Sequence, residues 1–128
     1  MVRAPREGEV VLIRIHVRDA ARAAAFYQAL FGWRLHAEGA AFETAGGLRG
    51  TFRRGEPSTA GPEIYVGTVD LDGAVRRAVR LGGVAIVRPG PGPDGSRIAQ
   101  VLDPEGNRIG LWEAPAETLA SGDLRVPR

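Results

Sequence analysis

Residues 17–33 read VRDAARAAAFYQALFGW, and residues 68–83 read TVDLDGAVRRAVRLGG. Both stretches obey one pattern. An apolar strand ends at an aspartate (Asp19, Asp70), an amphipathic run follows, and a glycine (Gly32, Gly82) stops it. Aspartate suits the helix start because its carboxylate accepts free N–H groups of the first turn. Glycine suits the stop because it enters the left-handed region without a Cβ penalty. The aspartates are 51 residues apart and the glycines 50, so the chain reads as one unit used twice. The pattern predicts helices over 19–31 and 70–81.

Working outward, Val10 to Val17 reads as a strand with two unlike faces. Val11, Ile13, Ile15 and Val17 make one apolar side, and Val10, Leu12, Arg14 and His16 make the other. In the first helix Ala23, Phe26, Tyr27, Leu30 and Phe31 form the stripe expected to pack on a sheet. Short strands are expected near 34–37, 40–44 and 48–53, with Glu38-Gly39 and Gly46-Gly47 as turns. Gly55 to Pro62 is the linker between halves. The second half repeats the order: a strand over Glu63–Val69, a helix with Leu71, Ala74, Val75, Ala78 and Val79 inward, then strands near 84–87, 97–102 and 108–112. Pro89–Ser96 reads as a loop, and Asp103 to Asn107 as a turn without chemistry of its own.

The expected fold class is therefore α+β: two βαβββ repeats forming a cupped eight-stranded mixed sheet with helices on the outside. It makes a single domain over 8–114, with half-repeats 8–54 and 62–114 and a C-terminal tail over 115–128. The concave face of such a sheet is left for a small ligand.

At 128 residues, 44% hydrophobic and 25% charged, the composition is that of one globular domain. There is no cysteine, which removes disulfides, thiolate nucleophiles and thiolate-bound metals. Every basic residue is arginine, so Schiff-base lysines and P-loop lysines are absent too. The net charge is only +2 and the arginines are dispersed along the chain, which speaks against a nucleic-acid partner. No apolar run reaches the roughly 20 residues of a membrane span, and the N-terminus has no signal-peptide core. The expected location is the cytoplasm.

Phe26-Tyr27, Phe31-Gly32-Trp33 and Asp103-Pro104-Glu105-Gly106-Asn107, with the duplication, make the chain resemble the vicinal oxygen chelate superfamily, the glyoxalase, bleomycin-resistance and extradiol-dioxygenase group. The resemblance runs over roughly residues 8 to 114. In metal-dependent members four side chains, typically His and Glu, project into the cup. One lies on each half's first strand, seven residues before the capping aspartate, and one on each half's last strand. The resemblance carries those positions to Leu12, Glu63, Gly50 and Gly110. Leu12 and the two glycines offer no donor, so no metal cofactor is expected and Glu63 is the one retained ligand-type residue. The paired glycines suggest open space on the floor of the cup.

The candidate ligand-binding residues are Leu12, Arg14, His16, Gly50, Glu63, Tyr65, Gly110 and Trp112. Glu63 reads either as a base or recognition carboxylate, or as the ion-pair partner of Arg14. Arg14 reads as an anion or carbonyl grip, or as that same partner. His16 is an acid/base at the mouth or a strand-end surface histidine, and His36 has no identifiable role. Tyr65 and Trp112 either stack on a flat ligand or fill a small core. The leading expectation is a metal-free module holding a small organic ligand, of the resistance or sequestration type, in a symmetric homodimer. The alternative is a lyase, isomerase or dioxygenase of the same superfamily, metal-dependent or with Glu63 or His16 as general base.

Overall fold

The computed structural model describes residues 5–57 and 61–116. The expected tail over 115–128 falls almost wholly outside that range, as does the middle of the expected linker. The fold is α+β, with two helices and eight strands in one open mixed sheet of order β2-β3-β4-β1-β5-β8-β7-β6. The strands are β1 (Val10–Val17), β2 (Arg34–His36), β3 (Ala41–Glu43), β4 (Arg49–Arg54), β5 (Glu63–Gly67), β6 (Val84–Pro91), β7 (Arg97–Leu102) and β8 (Arg108–Glu113). The helices are α1 (Ala20–Phe31) and α2 (Leu71–Arg80), so the βαβββ order occurs twice. No described helix is long and apolar enough to cross a membrane.

By packing the chain divides into two compact units. One holds residues 12–64, and the other holds residues up to 11 together with those from 65 onward. The division falls inside β1 and β5 rather than at the Gly55–Pro62 linker. Backbone bonds account for part of this: Gly8 N–H donates to Gly67 O (2.9 Å) and Gly67 N–H to Glu9 O (2.8 Å), tying the chain's start to the later unit.

In the 12–64 unit, Asp19 sits in extended backbone and its carboxylate accepts from Arg22 N–H at 3.1 Å. Gly32 closes α1 at φ 73°, its N–H donating to Gln28 O at 2.8 Å. The helix is turned differently from the expected stripe. Ala20, Ala23, Ala24 and Tyr27 face the sheet, packing with Ile13, Ile15, Val17, Phe42 and Phe52, while Phe26, Leu30 and Phe31 are more than half exposed. Alanines let the helix approach closely, and the aromatic layer forms beside them. Trp33 stacks on Phe42 (ring centroids 4.4 Å) and on Tyr27 (5.0 Å), and Phe42 meets Phe52 at 5.0 Å. Each such pair adds about 0.5–1.5 kcal/mol beyond area burial.

In the later unit, Asp70 caps α2 by accepting from Gly73 N–H at 3.0 Å. Leu71 is fully buried, a contribution of about 1.5–3 kcal/mol. Its N–H donates to the Glu113 carboxylate at 2.9 Å, and Arg97 bridges Glu113 and Asp72, each at 3.2 Å. The hydrogen bond from Arg97 holds the Asp72 carboxyl below its usual range. The Asp103–Asn107 turn closes on itself: the Asp103 carboxylate accepts from the N–H groups of Glu105 and Asn107, both at 2.9 Å.

The expected Pro89–Ser96 loop is shorter than the sequence implies. β6 continues to Pro91, with irregular register on either side of Val87, and a short 3-10 turn covers Pro93–Gly95. β6 is a terminal strand in the sheet order, where a proline's missing N–H costs no ladder bond.

Candidate functional site

The candidate residues fall in two groups, one in each unit. In the 12–64 unit β1 pairs in parallel with β4, matching Leu12 to Arg49, Arg14 to Thr51 and His16 to Arg53. Residues matched across neighbouring strands share a face. Leu12, Arg14, His16, Arg49, Thr51 and Arg53 therefore line the face away from α1. Glu63 joins them: its Oε1 lies 3.8 Å from an Arg14 guanidinium nitrogen and 4.0 Å from His16 Nε2. Arg14 is buried, and the Glu63 side chain is 17% exposed. At these two distances the contacts are ion-pair contacts, longer than hydrogen bonds. The ion-pair reading of Arg14 and Glu63 is thus realised, with the imidazole on the same oxygen.

Gly50 is not on that face. It is matched to Ile13 in β1 and to Phe42 in β3, which places it on the α1 side. A Cβ there would overlap the Phe42 ring. The expected opening in the floor is instead a seat for an aromatic ring.

Gly110, in the later unit, is matched to Tyr65 and to Gln100. A Cβ at Gly110 would overlap the Tyr65 ring, so this glycine too is covered rather than open. Tyr65 is fully buried. Its hydroxyl accepts from Gln100 Nε2 at 2.8 Å, and Gln100 Oε1 accepts from an Arg108 guanidinium nitrogen at 2.7 Å. Of the two readings of Tyr65, the structure shows the packed one. Trp112 is half-buried and shares the Gly110 face two residues along β8.

Gln100 and Arg108 escaped the sequence reading, although a lone glutamine between Ala99 and Val101 is a visible signal. Arg49, Thr51 and Arg53 escaped it because Gly50 was assigned to their face. His36 lies 3.4 Å from Glu43 Oε1, which Arg34 also reaches at 3.1 Å, a surface cluster at the β2 edge. A cavity of about 440 Å³ opens on the other side of β1, between Phe26 and Tyr27 of α1 and Pro57 and Pro62. It shares His16 with the polar face but not the carboxylate of Glu63.

A metal site does not fit these residues. Leu12 offers no donor, the Gly50 and Gly110 positions are occupied by rings, and the one carboxylate is already matched by a guanidinium. Among the described residues no group of three or more His, Cys, Asp or Glu is placed to hold an ion.

The model of a glyoxalase-like domain family matches residues 11–112. No match is found among curated protein sequences. Among solved structures, methylmalonyl-CoA epimerase from Mycobacterium tuberculosis is similar at TM-score 0.65 and 22% identity, covering 89% of this chain and 92% of that one. A hypothetical protein from Bacillus halodurans is similar at TM-score 0.65 and 15% identity, covering 85% of this chain and 96% of that one. A methylmalonyl-CoA epimerase in complex with methylmalonyl-CoA and ammonium matches at TM-score 0.61 and 20% identity, covering 87% of this chain and 97% of that one. At these identities the likeness is one of fold.

Proposed function

The chain belongs to the glyoxalase-like domain family, within the vicinal oxygen chelate superfamily, and on that premise we propose that it binds a small organic ligand without a metal. The observation that carries the reading is the trio Arg14, His16 and Glu63, a half-buried carboxylate between a guanidinium and an imidazole on the sheet face away from α1. Titratable groups kept out of bulk water on a face built for ligands are costly to fold and useful for recognition. Glu63 accepts a ligand's amine or hydroxyl and Arg14 holds Glu63 in place, while Leu12, expected on the floor, is itself buried. The role is sequestration or resistance by binding, in the cytoplasm, by a symmetric homodimer. The exposed side chains Phe26, Leu30 and Phe31 on α1 supply the apolar surface that a second copy covers.

The epimerase likeness and the His16–Glu63 pair favour one second reading, a lyase or isomerase in which the pair moves a proton. Two measurements test the proposal. Titration of dialysed protein with Co(II) should show no stoichiometric site; a tight one-to-one site would overturn the metal-free reading. A fragment screen followed by backbone amide shifts should map binding to His16, Thr51 and Glu63. Shifts confined to the cavity beside Phe26, or none at all, would remove this face as the site.

A further inference from the structure

We infer that the ligand is anionic, a carboxylate or phosphate ester taken by Arg53 and Thr51 with Arg49 as a second cationic contact; the inference rests on the ligand-binding face proposed above. The register carries it. β4 presents Arg49, Thr51 and Arg53 on the face where β1 presents Leu12, Arg14 and His16. Among the described residues the two acidic groups of that face already have arginine neighbours: Glu63 has Arg14, and Glu43 has Arg34. Arg49 and Arg53 have no acidic partner among the described residues, and both are exposed. Arg49 faces Glu43 across the β3–β4 ladder, whereas Arg53 faces His16, so the face carries two exposed guanidinium groups outside any described ion pair, with a half-buried hydroxyl between them.

The spacing suits one small molecule. His16 and Arg53 are direct neighbours across the ladder, roughly 4.8 Å apart at Cα, and Thr51 stands one same-face step away, roughly 6.6 Å. An anionic group above Thr51 can take the hydroxyl proton and the Arg53 fork together. A guanidinium is the suitable donor for this, since its planar N–H pair matches two oxygens of one anion.

The test uses the whole protein in low-salt buffer with three probes: phenyl phosphate, glutarate and the neutral isostere glutaramide. Binding is read from amide and arginine Nε shifts. The expected result is saturable binding of both anions at Thr51 and Arg53, none by glutaramide, and an affinity loss on the order of tenfold in Arg53→Gln. Arg80→Gln, on exposed α2, should leave affinity unchanged, which separates a site from general charge attraction. Equal binding of glutaramide and glutarate at this face would overturn the anion inference while leaving the ligand face standing. Equal losses in the Arg53 and Arg80 variants would also overturn it. Absence of any shift at the face with all three probes would overturn the inference and count against the ligand-face reading, which the fragment screen then decides separately.

Discussion

Substituting Gly110 by alanine is the sharpest test of how this sheet is packed. Gly110 is not in the left-handed region, so the added methyl costs nothing in backbone conformation. Its cost is steric, because the new Cβ falls on the ring of Tyr65, which is fully buried and hydrogen-bonded to Gln100. Forcing one methyl group into a packed interior costs about 1–3 kcal/mol. Displacing the ring also strains the Tyr65–Gln100 bond, worth about 0.5–1.5 kcal/mol net. The expected destabilisation is about 2–4 kcal/mol, a large part of the about 5–15 kcal/mol that a domain has. Urea unfolding followed by tryptophan fluorescence measures it as a lowered midpoint with an unchanged slope. The partner experiment is a double-mutant cycle: in a Tyr65→Ala background the same Gly110→Ala change should cost less than about 0.5 kcal/mol, since the ring is gone. A Gly110→Ala variant as stable as the parent, or an equal cost in both backgrounds, would refute the argument that the ring selects the glycine.

Three further outcomes are expected. Asp19→Ala and Asp70→Ala should each lose about 1 kcal/mol in the same unfolding assay, since each carboxylate caps its helix, and no loss in either would contradict the capping geometry. The Asp103 carboxyl is held below its ordinary value chiefly by the N–H of Asn107. Its contribution should therefore be complete above about pH 4 and fade as pH falls through the lower folded value, so the stability of Asp103→Asn should converge on the parent's in acid. A gap that stays constant with pH would exclude this. Sedimentation should find a dimer at micromolar concentration and a monomer for Leu30→Glu, whereas a monomeric parent would remove the proposed α1 interface.

Much of the fold was legible because its signals are local. Asp19, Asp70 and Gly32 act on backbone groups within a turn of themselves, so their roles follow from chain position alone, and both helices begin and end within one residue of where those residues predict. The alternation along β1 is local in the same sense: the side chains of Arg14 and His16 must emerge opposite Ile13 and Ile15. Glu63 was legible through the resemblance to the superfamily, which carries the ligand position of each half's first strand to Leu12 and Glu63.

What the sequence left open depended on neighbours far along the chain. Two stripes on α1 satisfy helical spacing, one through Ala20, Ala23, Ala24 and Tyr27 and one through Phe26 and Leu30. Only the aromatic layer of Trp33, Phe42 and Phe52 selects the alanine stripe, because it occupies the volume the larger side chains would need. Pro89 and Pro91 look like loop residues until β6 is seen to be a terminal strand. Gly50 and Gly110 look like vacancies in a cup, yet each lies beneath a ring from a neighbouring strand, and no pattern within a strand reveals its neighbour. The one-residue choice between Gly50 and Thr51 on the face away from α1 follows the same rule. Strand alternation by itself constrains a set of side chains to share a face, but strand pairing decides which face that is, and with it whether Gly50 or Arg49, Thr51 and Arg53 stand beside Arg14 and His16.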